Sequence, residues 1–161
     1  MLLLVIVVAA LLIGGSVRTV DYGKVKNIAR ADGVTGQLRV ALMEYQVSGP
    51  IDIEIISGVR TEEEQARLYA QGRSTPGEIV TYAAHAVDTA HGRGGAIDFA
   101  VLVGGVQTYG SDARHLYLQV AEWFEARGFV SGIRWTKEFP PDGDMGHINV
   151  SNWKALAMRL S

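Results

Sequence analysis

H-G-R-G-G-A-I-D-F-A-V-L, His91 to Leu102, is the stretch on which the fold turns. Its second half, from Ala96, is β-prone, while its first half carries Gly92, Gly94 and Gly95. His91 and Asp98 lie seven residues apart, an odd offset, so on one continuous strand their side chains would face opposite ways. Glycine tolerates positive φ, so the chain can bend between them and turn the Asp98 carboxylate back toward His91. The spacing leaves a second reading open, in which the glycines form an ordinary hairpin and Asp98 is a turn or edge carboxylate.

Outward from there, strands and helices alternate. Upstream, I-D-I-E-I-I-S at Ile51 to Ser57 puts Ile51, Ile53 and Ile55 on one face and Asp52 and Glu54 on the other, the mark of a half-buried strand. It follows a helix whose apolar face is Val34, Leu38, Leu42 and Tyr45. It precedes another, opened by Thr61 and Glu64 as a capping box and stopped at Gly72. Downstream, a helix from about Ser111 to Gly128 offers Leu116, Val120, Trp123 and Phe124 as its buried stripe. His147 to Val150 reads as a brief strand after P-P-D-G-D-M-G. Elements in this order predict an α+β domain, an antiparallel sheet with helices on one side.

The chain has 161 residues, enough for one ordinary domain, expected over residues 20–161. Its net charge of −2 disfavours binding to nucleic acid. With no cysteine, disulfides, thiolate zinc clusters and cysteine nucleophiles are excluded, so any metal must use His and carboxylate. Met1 to Ile13 is an unbroken apolar run, and residues 1–16 fit a signal or membrane-anchor segment by length. Against that reading, no Lys or Arg precedes the run, and the first positive charge is Arg18; a buried strand or short core helix is the alternative.

Only four histidines exist, at 85, 91, 115 and 147. Pro140, Pro141, Gly143 and Gly146 exclude a helix around the last of them, so Asp144 and His147 would approach through a turn. A catalytic zinc commonly takes three protein ligands and leaves a position open, and His91, Asp98 and His147 would supply that set. Asp144, near but not bound, could take a proton from the attacking water and pass it to a leaving amine. Taken alone, D-x-x-H also reads as a surface turn. His85 suits a solvated loop and His115 a helix surface.

These residues match a known pattern. H-x-x-G-x-A-x-D at His91 to Asp98, followed by D-x-x-H at Asp144 to His147, resembles the zinc D,D-carboxypeptidase and L-alanyl-D-glutamate endopeptidase family, which cuts peptidoglycan stem peptides. S-G-V-R-T (57–61), E-Q-A-R-L-Y-A-Q-G-R (64–73) and P-G-E-I-V-T (76–81) extend the likeness in order, over roughly residues 34–150. The resemblance implies the Hedgehog/D,D-peptidase fold, a Zn2+ cofactor held by His91, Asp98 and His147, and Asp144 as general base and acid. It places Arg60 in the cleft, where a guanidinium can hold a carboxylate or stabilise a developing oxyanion; a surface salt bridge is the alternative. Gln65 and Thr89 are implied substrate contacts, Gln65 being as readily a solvated helix residue.

Three departures stand out. Thr89 replaces a usual serine and keeps the hydroxyl. Gly146 replaces a frequent proline, which could loosen the ligand turn. Trp135 alone remains of a tryptophan-rich stretch. The segments look closer to the endopeptidase branch, often phage endolysins or bacterial cell-wall hydrolases, than to D-Ala-D-Ala carboxypeptidases. A monomer acting in the periplasm or cell wall, exported or tethered to the inner membrane, is the expectation. The rival is a non-catalytic zinc-containing module that binds cell wall, which a fourth protein ligand such as His85 would favour. A membrane-active lysis accessory would leave the matched segments unexplained.

Overall fold

Ala96–Val103, here β3, is the spine of the domain in a computed structural model that describes residues 23–137, 139 and 141–156. On one edge it pairs antiparallel with β2 (Ile53–Ser57), and β2 pairs with the two-residue β1 (Val25–Lys26). Along its length it also pairs antiparallel with β4 (Val106–Thr108) and with β6 (His147–Val150). The last pairs in turn with β5 (Phe129–Ser131). The sheet order is β1-β2-β3-β6-β5, with β4 beside β3. β1 runs parallel to β2, so the expected antiparallel sheet is in fact mixed at this edge.

Three α-helices complete the α+β fold: α1 (Gly36–Ser48), α2 (Glu62–Ala70) and α3 (Arg114–Glu125). Thr35 caps α1 by accepting from the Leu38 amide at 3.4 Å, and Thr61 with Glu64 forms the complete capping box of α2. The alternation in the strands sends Ile53, Ile55, Ile97, Phe99, Val101, Ile148 and Val150 to one side. There they form one core with Leu38, Leu42 and Tyr45 of α1 and Tyr117, Val120 and Phe124 of α3. The α3 stripe is rotated from its expected position, because Tyr117 and Ala121 are buried while Leu116 and Trp123 sit at the margin. Tyr117 wins the inward place because its hydroxyl has polar partners there, donating to Thr108 O at 3.0 Å and accepting from Val101 N at 3.3 Å.

Helices α1 and α3 therefore share one face of the sheet. α2 stands at the margin of the other, where its Gln65 reaches Arg60 and Arg60 reaches Asp98. The segment expected to be a signal or anchor, residues 1–16, lies outside the described residues. Among the described residues no helix is long and apolar enough to cross a membrane.

Candidate metal centre

Asp98 lies on the face of β3 away from the core helices, and strand register places His147 directly opposite it on β6. His91 joins them from the loop before β3. That loop bends as its glycines foretold: Gly94 has φ 69°, and its amide donates to His91 O at 2.9 Å. A bulge in β2 between Ile55 and Ser57 delivers Gly58 to the same place. His91 Nδ1 lies 2.7 Å from Gly58 O, and a carbonyl can only accept, so that nitrogen carries the proton. The Nε2 lone pair is thereby left facing inward, the usual outer support of a ligating imidazole.

Three donor atoms converge. His91 Nε2 is 3.2 Å from Asp98 Oδ1 and 3.3 Å from His147 Nδ1, and His147 Nδ1 is 3.0 Å from Asp98 Oδ1. Ligand distances of roughly 2.1 Å around a tetrahedral zinc place neighbouring ligands about 3.4 Å apart, so these spacings fit such an ion. Both histidines are buried, and His147 is walled by the Trp135 ring at a centroid distance of 5.0 Å. Burial pushes the Asp98 carboxyl up, but the imidazoles of His91 and His147 set against it, when protonated, outweigh burial and hold the group well below the usual carboxylate range. The cluster already favours an anion where a cation would sit. Among the described residues, His91, Asp98 and His147 are a set able to hold a metal ion.

Asp144 stands beside this set. Its Oδ2 lies 4.0 Å from His147 Nδ1, outside hydrogen-bond reach, on a side chain 42% exposed. Close packing of other atoms and the Asp98 charge raise its carboxyl above the ordinary value, against the pull of His147, His91 and Arg60. A carboxylate of raised basicity near a metal set, and unbound by it, suits proton transfer. The turn that carries it is firm: Asp144 N donates to Gly132 O at 2.9 Å, and His147 N to Asp144 O at 3.2 Å. Gly146, expected to loosen the turn, is held instead. Its carbonyl accepts from Phe99 N at 2.8 Å, and a Cβ there would lie 2.4 Å from Phe99 O, so the close approach of the turn to β3 needs glycine.

Arg60 completes the group, its Nη2 3.5 Å from Asp98 Oδ2 and its side chain 14% exposed. Gln65 and Thr89 sit differently from what the sequence suggested. Gln65 is fully buried behind Arg60, with every polar atom of its amide engaged. The Thr89 hydroxyl donates to Ala86 O at 2.8 Å and accepts from Gly92 N at 2.9 Å, so it braces the turn into His91. His85 pairs with Glu62, Nδ1 to Oε1 at 2.7 Å, on the surface. His115 is exposed at the start of α3.

Beside the carboxylates opens a cavity of about 300 Å³, lined by Ile56, Tyr109, Tyr117, Met145, Asp98 and Asp144. The sequence reading missed its walls, and it missed Gly58, Thr81 and Ala83 as supports. Thr81 had a signal, since it closes the P-G-E-I-V-T segment; a backbone carbonyl such as Gly58 O has none in side-chain pattern.

No family model matches the chain. The peptidoglycan L-alanyl-D-glutamate endopeptidase CwlK of Bacillus subtilis is 35% identical over 109 residues, which cover 62% of this chain and 65% of that protein. The chain thus spans somewhat under two thirds of that relative's length. The crystal structure of the Serratia marcescens L-Ala D-Glu endopeptidase ChiX aligns with a TM-score of 0.56 at 18% identity, covering 79% of this chain and 89% of that one. The α+β fold is therefore that of ChiX, the Hedgehog/D,D-peptidase type. The likeness to CwlK supports the peptidase family that the motifs resemble, and the likeness to ChiX supports the fold.

Proposed function

We propose that this chain is a zinc metallopeptidase of the D,D-carboxypeptidase and L-alanyl-D-glutamate endopeptidase family, and that it hydrolyses the L-alanyl-D-glutamate bond of peptidoglycan stem peptides. The observation that carries this is the convergence of His91, Asp98 and His147 to within 4.8 Å of one another, with Asp144 alongside. The likeness to CwlK, whose name states that activity, supports the choice of bond.

In this reading His91 Nε2, Asp98 Oδ1 and His147 Nδ1 hold the ion. When bound, zinc supplies Lewis acidity, which makes water nucleophilic near neutral pH and polarises a carbonyl. Asp144 takes the proton of the attacking water on its carboxylate and returns it to the amine of D-glutamate as the C–N bond breaks. Arg60, held within reach of the same cleft, offers N–H donors to the charge that develops on the carbonyl oxygen. The cavity walled by Ile56, Tyr109 and Met145 accepts the small apolar side chain next to the scissile bond.

Such a substrate places the protein in the periplasm or cell wall. Residues 1–16 would then serve as an export signal or membrane anchor, with a monomer as the acting species. An endolysin or a bacterial wall hydrolase fits equally.

Mass spectrometry of purified peptidoglycan, incubated with the zinc-loaded full chain, tests the proposal. A new free amine on D-glutamate is expected, and it should be absent with Asp144→Asn. Loss of terminal D-alanine would instead mark a carboxypeptidase. No cleavage with zinc bound would favour a cell-wall-binding module.

A further inference from the structure

Gln65 is the most completely buried polar side chain near the site, with no accessible surface, and it is too far behind Arg60 to meet a substrate first. Arg60 Nη1 donates to its Oε1 at 3.0 Å. Its Nε2 donates to Ala83 O at 2.6 Å and to Thr81 Oγ1 at 3.2 Å. The amide can point only one way, because a guanidinium is donor only and a carbonyl acceptor only. Gln65 therefore links two things that do not touch through it by chance: the arginine of the cleft and the far end of the loop after α2. That loop is open structure, exposed at every residue from 72 to 80, and it shows Ile79, Val80 and Tyr82 to solvent. Arg73 helps seat it, donating to Tyr69 O at 2.6 Å and Thr81 O at 3.1 Å with its guanidinium 4.0 Å from the Tyr69 ring centre.

We propose that Gln65 is the positioning residue of Arg60, and that through it the placement of the arginine depends on the seating of the 72–85 loop at Thr81 and Ala83. A long flexible side chain with one free guanidinium edge has many rotamers, and a fixed acceptor behind it removes most of them before substrate arrives. The acceptor is itself fixed by the loop. A ligand that presses on the exposed loop residues would tighten the arginine, and a loop that lifts would release it. The catalytic half of this inference rests on the peptidase reading.

Gln65→Met keeps length and burial but offers Arg60 no acceptor. Its kcat should fall on the order of 10- to 100-fold, the scale of a misplaced catalytic contact, with KM and zinc affinity little changed. The same substitution made in Arg60→Met should cost nothing further, because a residue that acts only through Arg60 has nothing left to position. A merely structural role would lower both backgrounds alike. Hydrogen–deuterium exchange supplies a readout without turnover: Arg60→Met and Gln65→Met should each raise exchange across residues 81–84. Unchanged kcat in Gln65→Met, or an equal loss in both backgrounds, overturns the positioning role, and unchanged exchange overturns the link to the loop. A wild-type chain without hydrolysis overturns the catalytic half through the peptidase reading itself, and the exchange arms then still decide the coupling.

Discussion

The two faces of one sheet follow different rules. On the helix side, Ile97, Phe99 and Val101 of β3 meet Tyr45, Tyr117 and Phe124, and all are at most 3% exposed. On the other side, Asp98 of the same strand is ringed by four groups from three separate segments: Arg60, His91, and the turn that carries both Asp144 and His147. The first face is built by repetition of apolar residues at the strand and helix periods. The second is built by loops that arrive at one point. One can be altered by any side chain of the right size, whereas the other needs particular atoms in particular places. Binding and chemistry should therefore fail on the second face while folding survives, and the reverse should hold on the first.

The hardest test of that separation is His147→Ala. It should abolish zinc binding, read by equilibrium dialysis, and turnover with it, while circular dichroism keeps the fold. Zinc retained at wild-type level would sink the ligand assignment, and an unfolded protein would mean the faces are not separable. Asp144→Asn sharpens the point, because that carboxylate stands outside the ligand set. Zinc should stay, and turnover should fall about 10²- to 10⁴-fold, the range of a lost general base.

On the helix face, Phe124→Ala should cost about 3–5 kcal/mol in urea unfolding. The ring is fully buried and stacks on Tyr45 at 5.4 Å, with Phe129 edge-on at 5.7 Å. The fraction still folded should bind zinc one to one. A loss of zinc affinity as large as the loss of stability would show that the core sets the metal geometry and that the two faces are not independent.

The same contrast explains what could be read from the chain. The isoleucines of β2, the α1 face through Leu38, Leu42 and Tyr45, and the Thr61–Glu64 capping box were legible because each is a local pattern enforced by burial or a cap. β1, β4 and β5 were not, since two or three residues carry no period. A hairpin signal was nonetheless present for β4 in Gly104–Gly105, which joins it to β3. On the polar face, spacing alone left His91 and Asp98 open between a hairpin and a ligand pair. The joint motif singled them out; the bend at Gly94 explains how His91 meets Asp98, and strand register how His147 does. Gln65 and Thr89 came out as supports behind the site because a sequence motif marks a residue without saying which way its side chain points.

Tyr45 gives the smallest effect and the finest separation. It is fully buried, and its hydroxyl donates to Ile51 O at 2.8 Å. Tyr45→Phe should lose about 1 kcal/mol at pH 7, one buried hydrogen bond, with zinc binding and turnover unchanged. Burial raises the Tyr45 pKa far above the ordinary tyrosine value, and the Asp52 charge adds to it. The folded state thus holds this proton more tightly than the unfolded chain does. Its contribution is complete below the unfolded value near ~10 and declines as pH rises from there toward the folded one, by up to roughly 1.4 kcal/mol per pH unit. Phenylalanine has no proton to hold, so the stability difference between wild type and Tyr45→Phe should shrink from pH 10 to pH 11. Tyr117 and every other titrating group are common to both proteins and cancel. Urea midpoints of the pair at pH 7, 10 and 11 measure it, and a difference that stays constant would mean that Tyr45 ionises as freely in the fold as out of it.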